Sequence, residues 1–180
     1  MKQKKCKNCG ELFTPMRSTL QKYCIKPACL TVLIETEKAK KWVKEKAKKK
    51  QDLMTVQDWV KIAQQAFNAY IRERDKGNNC ISCGKIPKKP NAGHYFNANN
   101  HWNVRFDEDN VHIQCEHCNT YLSGNLIYYT DGLREKIGTE RINQLIEKAR
   151  ITRKYTVNEL KEITEDYKKR LKKLKESIAK

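Results

Sequence analysis

The chain has no long apolar run. No stretch approaches the roughly 18 consecutive apolar residues that a membrane span needs. The basic start MKQKKCKNCG is not followed by the apolar segment of a secretory signal, so a cytoplasmic protein is expected. Hydrophobic residues make up only 38% of the 180 positions, and the mean hydropathy is −0.87. A single large core is therefore not expected, and small metal-stapled modules joined by solvated helices fit the composition better. Acidic charge is also scarce. There are 21 Asp and Glu against 38 Lys and Arg, a net charge of +17. A field of that sign selects polyanions, nucleic acid first, although a solvated lysine-rich surface would give the same balance.

The chain does have eight cysteines in two sets of four. The first is Cys6-x2-Cys9-x14-Cys24-x4-Cys29; the second pairs Cys80 and Cys83 with Cys115 and Cys118. In a reducing compartment, cysteines grouped this way read as zinc ligands rather than disulfides. Four thiolates close a tetrahedral zinc and leave no open position for water, so both ions are expected to be structural. Gly10, directly after Cys9, suits the positive φ of a metal-binding knuckle, and Leu12 and Phe13 can pack under the metal.

These features predict a small zinc-stabilised α+β protein in four parts. Residues 1–34 form a zinc-ribbon or treble-clef-like module. Residues 35–54 form a basic helical linker, with eight lysines and one glutamate between Lys38 and Lys50. Lys41, Lys44 and Lys48 would contact phosphates there, unless the segment is only a solvated spacer. Residues 55–128 hold an amphipathic helix and the central cysteine module. Thr55 and Asp58 make a capping box, and Val56, Trp59, Val60, Ala63, Phe67, Tyr70 and Ile71 recur at helical spacing. Asp75-Lys76-Gly77 ends that helix. Residues 129–180 read as C-terminal helices: a piece from Thr130 to Gly138, another capped by Thr139, and a last one opened by a second capping box, Thr156 with Glu159. Leu160, Ile163, Tyr167, Leu171, Leu174 and Ile178 form a narrow stripe that suits a two-helix seam, either within the chain or across a homodimer.

All four histidines fall between residues 94 and 117. His94 lies in AGHY, Asn110 precedes Cys115 by five positions, and Asn119 follows Cys118 directly. This order resembles the HNH, or ββα-metal, nuclease motif in its H-N-N variant, similar to recombination endonuclease VII. Over residues 4–150 the succession of the first four cysteines, basic helix, amphipathic helix, CISC, AGHY, RFDEDNVHIQCEHCN and LSGN resembles the phage lambda NinG (Rap) recombination protein family. That resemblance implies a treble-clef-type ββα-metal module and a structure-specific endonuclease, like a Holliday-junction resolvase, that cuts Holliday junctions and D-loops. It implies Mg2+ or Mn2+ beside the two structural zincs, and a phage recombinase or annealing protein as a further partner in the host cytoplasm.

In that reading His94 is the general base, Asn110 pins the loop and orients the His94 strand, and Asn119 offers its amide oxygen to Mg2+. Their ordinary roles are a loop histidine, a turn asparagine and a helix cap. The sequence departs from the motif at Gly93, where many such enzymes carry Asp or His as a metal ligand. Water and substrate phosphate, or His112, Asp109 or Ser123, would fill the gap. Lys88, Lys89 and Arg105 are the remaining DNA-binding candidates. His101 and His117 are assigned to the surface or to support of the site. Tyr95, Phe96, Trp102 and Phe106 are expected in a small core, with base stacking as the alternative. A non-catalytic zinc-dependent DNA-binding accessory protein of recombination is the rival function, and an RNA-directed zinc protein a second.

Overall fold

The computed structural model describes residues 3–16, 18 and 20–178, which form two compact units, 1–54 and 55–180. In the first unit β1 (Lys4–Lys5) pairs antiparallel with β2 (Leu12–Phe13). The chain then enters α1 (Pro27–Asp52), with proline in the first turn, where its missing N–H costs nothing. Cys6, Cys24 and Cys29 form the buried centre, with Phe13 and Tyr23 packed against them. Among the described residues of this unit the sulfur cluster takes the place of an ordinary core. α1 runs unbroken through the 34–35 division expected from composition, because no Gly or Pro interrupts it. Lys41, Lys44 and Lys48 are exposed along it.

The second unit starts with α2 (Val56–Arg74). Both bonds of its capping box form: Asp58 N donates to Thr55 Oγ1 at 3.3 Å, and Thr55 N to Asp58 Oδ2 at 3.0 Å. Of the expected stripe Trp59, Val60, Ala63, Phe67 and Ile71 are buried, Tyr70 is half-buried, and Val56, in the first turn, is exposed. β3 (Pro90–His94) pairs antiparallel with β4 (Val111–Cys115), setting Gly93 opposite His112 and His94 opposite Val111. α3 (Leu126–Arg150) follows and breaks at Gly138, whose φ of 79° is left-handed. It begins four residues before Thr130 and crosses the expected 128–129 division; Asn125, at φ 47°, precedes it without a capping bond, so no capping signal marked the start.

α4 (Val157–Ile178) opens on the Thr156–Glu159 capping box and packs along α2. The Tyr167 ring meets Phe67 edge-on at 4.8 Å, and Arg170 lies over Tyr70 at 4.4 Å. Leu160, Thr164 and Tyr167 are thereby buried within the chain. A second core of Val104, Tyr129, Leu133, Ile142 and Leu145 lies where α3 meets the loop between β3 and β4. Among the described residues no helix is long and apolar enough to cross a membrane.

Asp75, at the end of α2 and 3% exposed, ties these layers together. Its carboxylate accepts from Ile113 N at 3.1 Å and from the Arg74 guanidinium at 2.9 and 2.8 Å, and Lys136 of α3 lies 3.5 Å away. Burial opposes its charge, but the His112 and Arg74 contacts and Lys136 outweigh that and hold the carboxyl far below the usual carboxylate range.

Candidate functional site

Each set of four cysteines brings its sulfurs within 4.8 Å of one another. Cys9 Sγ lies 3.8 Å from Cys24 Sγ, and Cys83 Sγ 3.8 Å from Cys115 Sγ. Zinc–sulfur bonds of about 2.3 Å in a tetrahedron require a sulfur–sulfur edge of about 3.8 Å, so both clusters fit zinc. The knuckles are built alike. Gly10 N donates to Cys6 O and Gly84 N to Cys80 O, with both glycines at positive φ. Amide donors also reach the sulfurs: Cys24 N to Cys6, Asn8 to Cys29, Cys118 N to Cys115 and Asn125 to Cys118. Burial resists charge on Cys80, yet hydrogen bonding with the Cys115, Cys83 and Ser82 backbone brings its thiol down to about 7. The Cys118 thiol is pushed up to about 12 by burial and by the sulfurs of Cys115 and Cys83.

Beside the second cluster lies a cleft of about 720 Å³. His94 from the end of β3, Asn119 from the π-helical segment His117–Tyr121 that also holds Cys118, Ser123, and His101 from the long loop all line it. No carboxylate does. Ser123, Gly124 and Asn125 in succession have positive φ (49°, 90° and 47°). Left-handed backbone at a non-glycine residue is disfavoured and concentrates at functional sites. The Asn119 carboxamide has no hydrogen-bond partner among the described residues, so it neither caps a helix nor braces the fold.

His94 is half-buried and held from α2. Gln64 Oε1 accepts from Arg105 at 3.1 Å, and because guanidinium only donates, the Gln64 amide nitrogen must face His94 Nε2, 3.4 Å away. Nε2 is therefore the unprotonated nitrogen. Burial, reinforced by the Arg105 charge, lowers the His94 pKa to about 4 against opposing hydrogen bonds with the Arg105 and Ala92 backbone. The ring is therefore neutral near pH 7, but so low a pKa makes it a weaker proton acceptor than an ordinary imidazole, against the near-reference value expected of a base.

Asn110 is fully buried away from the cleft. Its Nδ2 donates to Phe96 O at 3.1 Å and Val104 O at 2.9 Å, and its Oδ1 accepts from Phe96 N at 2.7 Å. These bonds clamp both ends of the loop from Phe96 to Val104 next to His94.

His112 and Asp109, two of the three expected substitutes for a ligand at Gly93, do not line the cleft. His112 is 3% exposed, sits 3.7 Å from Asp75, and hydrogen-bonds Asp109 O. The Asp109 carboxylate pairs with Arg141. Ser123 alone of the three faces the cleft. Position 93 is closed by packing: a Cβ there would lie 2.1 Å from Gln114 Oε1. Gln114 is fully buried and donates from Nε2 to Ser82 Oγ and Gly124 O, both at 2.6 Å, while its Oε1 has no partner. The strand pair is opened at the same place. His112 N donates to the Tyr129 hydroxyl at 3.1 Å, which donates to Gly93 O at 2.9 Å.

His101, assigned to the surface or to support of the site, lines the cleft, and its Nδ1 donates to Ala149 O at 3.2 Å. His117 stays exposed. The aromatics mainly pack: Phe106 against Phe67, Trp102 against Tyr155, Tyr95 against Tyr129, with Tyr95 and Phe96 also reaching the cleft. Lys88 and Lys89 are exposed, whereas Arg105 is buried. Nothing local in the sequence marks Gln64, Gln114 or Tyr129, which act across elements.

No solved structure matches this chain. The family model described as Bacteriophage Lambda NinG protein matches residues 1–177. The chain is 38% identical to Protein ninG of Escherichia phage 933W over 192 residues, covering 97% of this chain and 95% of that protein. It is 43% identical to Protein ninG of Salmonella phage P22 and 42% identical to that of Escherichia phage lambda, each over 120 residues and 66% of this chain, covering 59% and 58% of those proteins. The chain belongs to the NinG family.

Proposed function

We propose that the chain is an HNH-type endonuclease of phage recombination that hydrolyses phosphodiesters in branched DNA, with His94 as general base. The supporting observation is the convergence on one cleft of a neutral His94, an unpartnered Asn119 and Ser123, held by the strand pair β3–β4, the second cysteine cluster and α3. His94 Nε2 would take the proton of the attacking water. Its contact with Gln64 is long, and such bonds reorganise when substrate enters. Asn110 would keep the His94 strand and the cleft wall in register. Mg2+ or Mn2+, when bound, would offset charge on the phosphate. Its protein ligands would be the Asn119 and Ser123 oxygens, with water and phosphate completing the shell. Neutral donors alone imply weak metal binding before DNA arrives. A +17 chain would find DNA through its backbone, giving steep salt dependence.

The rival, a DNA-binding accessory protein without catalysis, is favoured by the lack of a carboxylate in the cleft and by the closed position 93. Purified zinc-loaded protein incubated with a labelled four-way junction separates the two. The proposal expects cleavage on adding Mg2+ or Mn2+. Binding without cleavage in either metal leaves the accessory reading, and competition by RNA better than by junction DNA would favour the RNA-directed one.

A further inference from the structure

Arg105 is 6% exposed, yet among the described residues no carboxylate pairs with it. Its fork is aimed by neutral oxygens, Gln64 Oε1 at 3.1 Å and Asn99 Oδ1 at 3.2 Å, and it lies 5.2 Å from the centre of the Trp102 ring. Nε has no partner. Other buried or half-buried cations of this unit are neutralised: Arg74 by Asp75 and Glu108, Arg170 by Glu108. A desolvated guanidinium without a counter-ion costs stability and persists only where something else requires it. Arg105 also lines a groove of about 320 Å³ with Lys61, Gln64, Gln65, Asn68 and Asn99, and no acidic side chain lines that groove. A concavity of amides and two cations offers hydrogen bonds and positive charge to an oxyanion, and a planar fork suits phosphate. Gln64 touches both Arg105 and His94, and Asn99 lines both this groove and the His94 cleft.

We infer that the Arg105 groove is a built subsite for a backbone phosphate of the bound DNA strand, next to the phosphate presented to His94. The inference rests on the nucleic-acid part of the proposed function and not on cleavage. Arg105 thus differs from the exposed lysines: its charge is prepaid and its fork is already oriented.

The test measures binding of full-length zinc-loaded protein to a four-way junction across a salt series, without added Mg2+, for wild type, Arg105→Met, Asn99→Asp and Asn100→Asp. Arg105→Met should lower affinity about tenfold and make the slope of log K against log salt shallower by about 0.9, the value of one phosphate contact. Its melting temperature should hold or rise, since an unpaired buried charge is gone. Asn99→Asp gives Arg105 an internal counter-ion and should reproduce the shallower slope in a folded protein. Asn100→Asp adds the same charge at an exposed neighbour and should not. The subsite is refuted if Asn99→Asp and Asn100→Asp keep the same slope, or if Arg105→Met only lowers the melting temperature. Since no step is read from cleavage, a protein that never cuts but shows these slopes would lose the nuclease reading and keep the subsite.

Discussion

The two cysteine clusters are the same device used for different ends. Both have a knuckle closed by a glycine at positive φ, amide donors to sulfur and sulfur–sulfur edges of 3.8 Å. They differ in what lies between their halves. Fourteen residues separate Cys9 from Cys24, and they carry a single two-residue strand, β2, whose partner β1 lies ahead of Cys6. Thirty-one separate Cys83 from Cys115, and they carry β3, most of β4, His94 and the clamped loop. The first cluster is the core of its unit. The second is the fixed end of a hairpin whose other end is held by Asp75, Tyr129 and Asn110. A metal staple alone makes a fold; a staple with a long, separately braced insert makes a cleft.

Exchanging ligands tests this contrast most severely. Cys80→Ser should abolish junction cleavage and exchange protection of the β3–β4 amides, because metal binding and folding are coupled in small sites. Cys9→Ser should expose the amides of the first unit and leave those of residues 55–180 protected. Hydrogen exchange on both variants checks it, and loss of both units in either variant would break the comparison.

Asp75→Ala leaves Lys136 and Ile113 N without their carboxylate and Arg74 with only the longer Glu108 contact, and should cost about 3 kcal/mol in denaturant unfolding of the second unit, the lower end of the penalty for breaking a buried ion pair. Among the described residues of the first unit, none has such a role.

The pH dependence of stability follows from His94. Its folded pKa of about 4 lies below the ordinary value of 6.5, so between these pH values the unfolded chain binds more protons. Unfolding free energy therefore rises with pH across that window and falls as pH drops from 6.5 toward 4, by about 3 kcal/mol at most. His112, also lowered by burial, acts in the same direction. His94→Asn should flatten part of this slope in melts taken at successive pH values.

Gly93→Ala sets a methyl against Gln114 and should cost about 1–3 kcal/mol. Adding Gln114→Ala should recover part of it, a non-additivity that equilibrium unfolding of the double variant would reveal.

What was legible in the sequence was local. Cysteine spacing marked both clusters, capping boxes opened α2 and α4, the α2 stripe named its buried face, and Gly138 broke α3. The partner of the α4 stripe was not legible, because periodicity shows a face but not what covers it; α2 covers its first half, while Ile178 at the far end stays exposed. His112 and Asp109 looked like ligands by composition, but Asp75 and Arg141 hold them elsewhere. Gln114 explains Gly93 only through a cross-strand contact, and Arg105 stands out from the other basic residues only once its burial and missing counter-ion are seen.

The central claim of the proposed function is that the second cysteine cluster holds the cleft while His94 would act as its base. Single-turnover cleavage of a four-way junction in Mg2+ by His94→Ala, with zinc content and melting temperature measured on the same sample, tests it most directly. The expected result is wild-type zinc content and a cooperative melt with cleavage slowed at least about 100-fold, the lower end of what a general base contributes. Cleavage at the wild-type rate by the folded, zinc-loaded variant would contradict it.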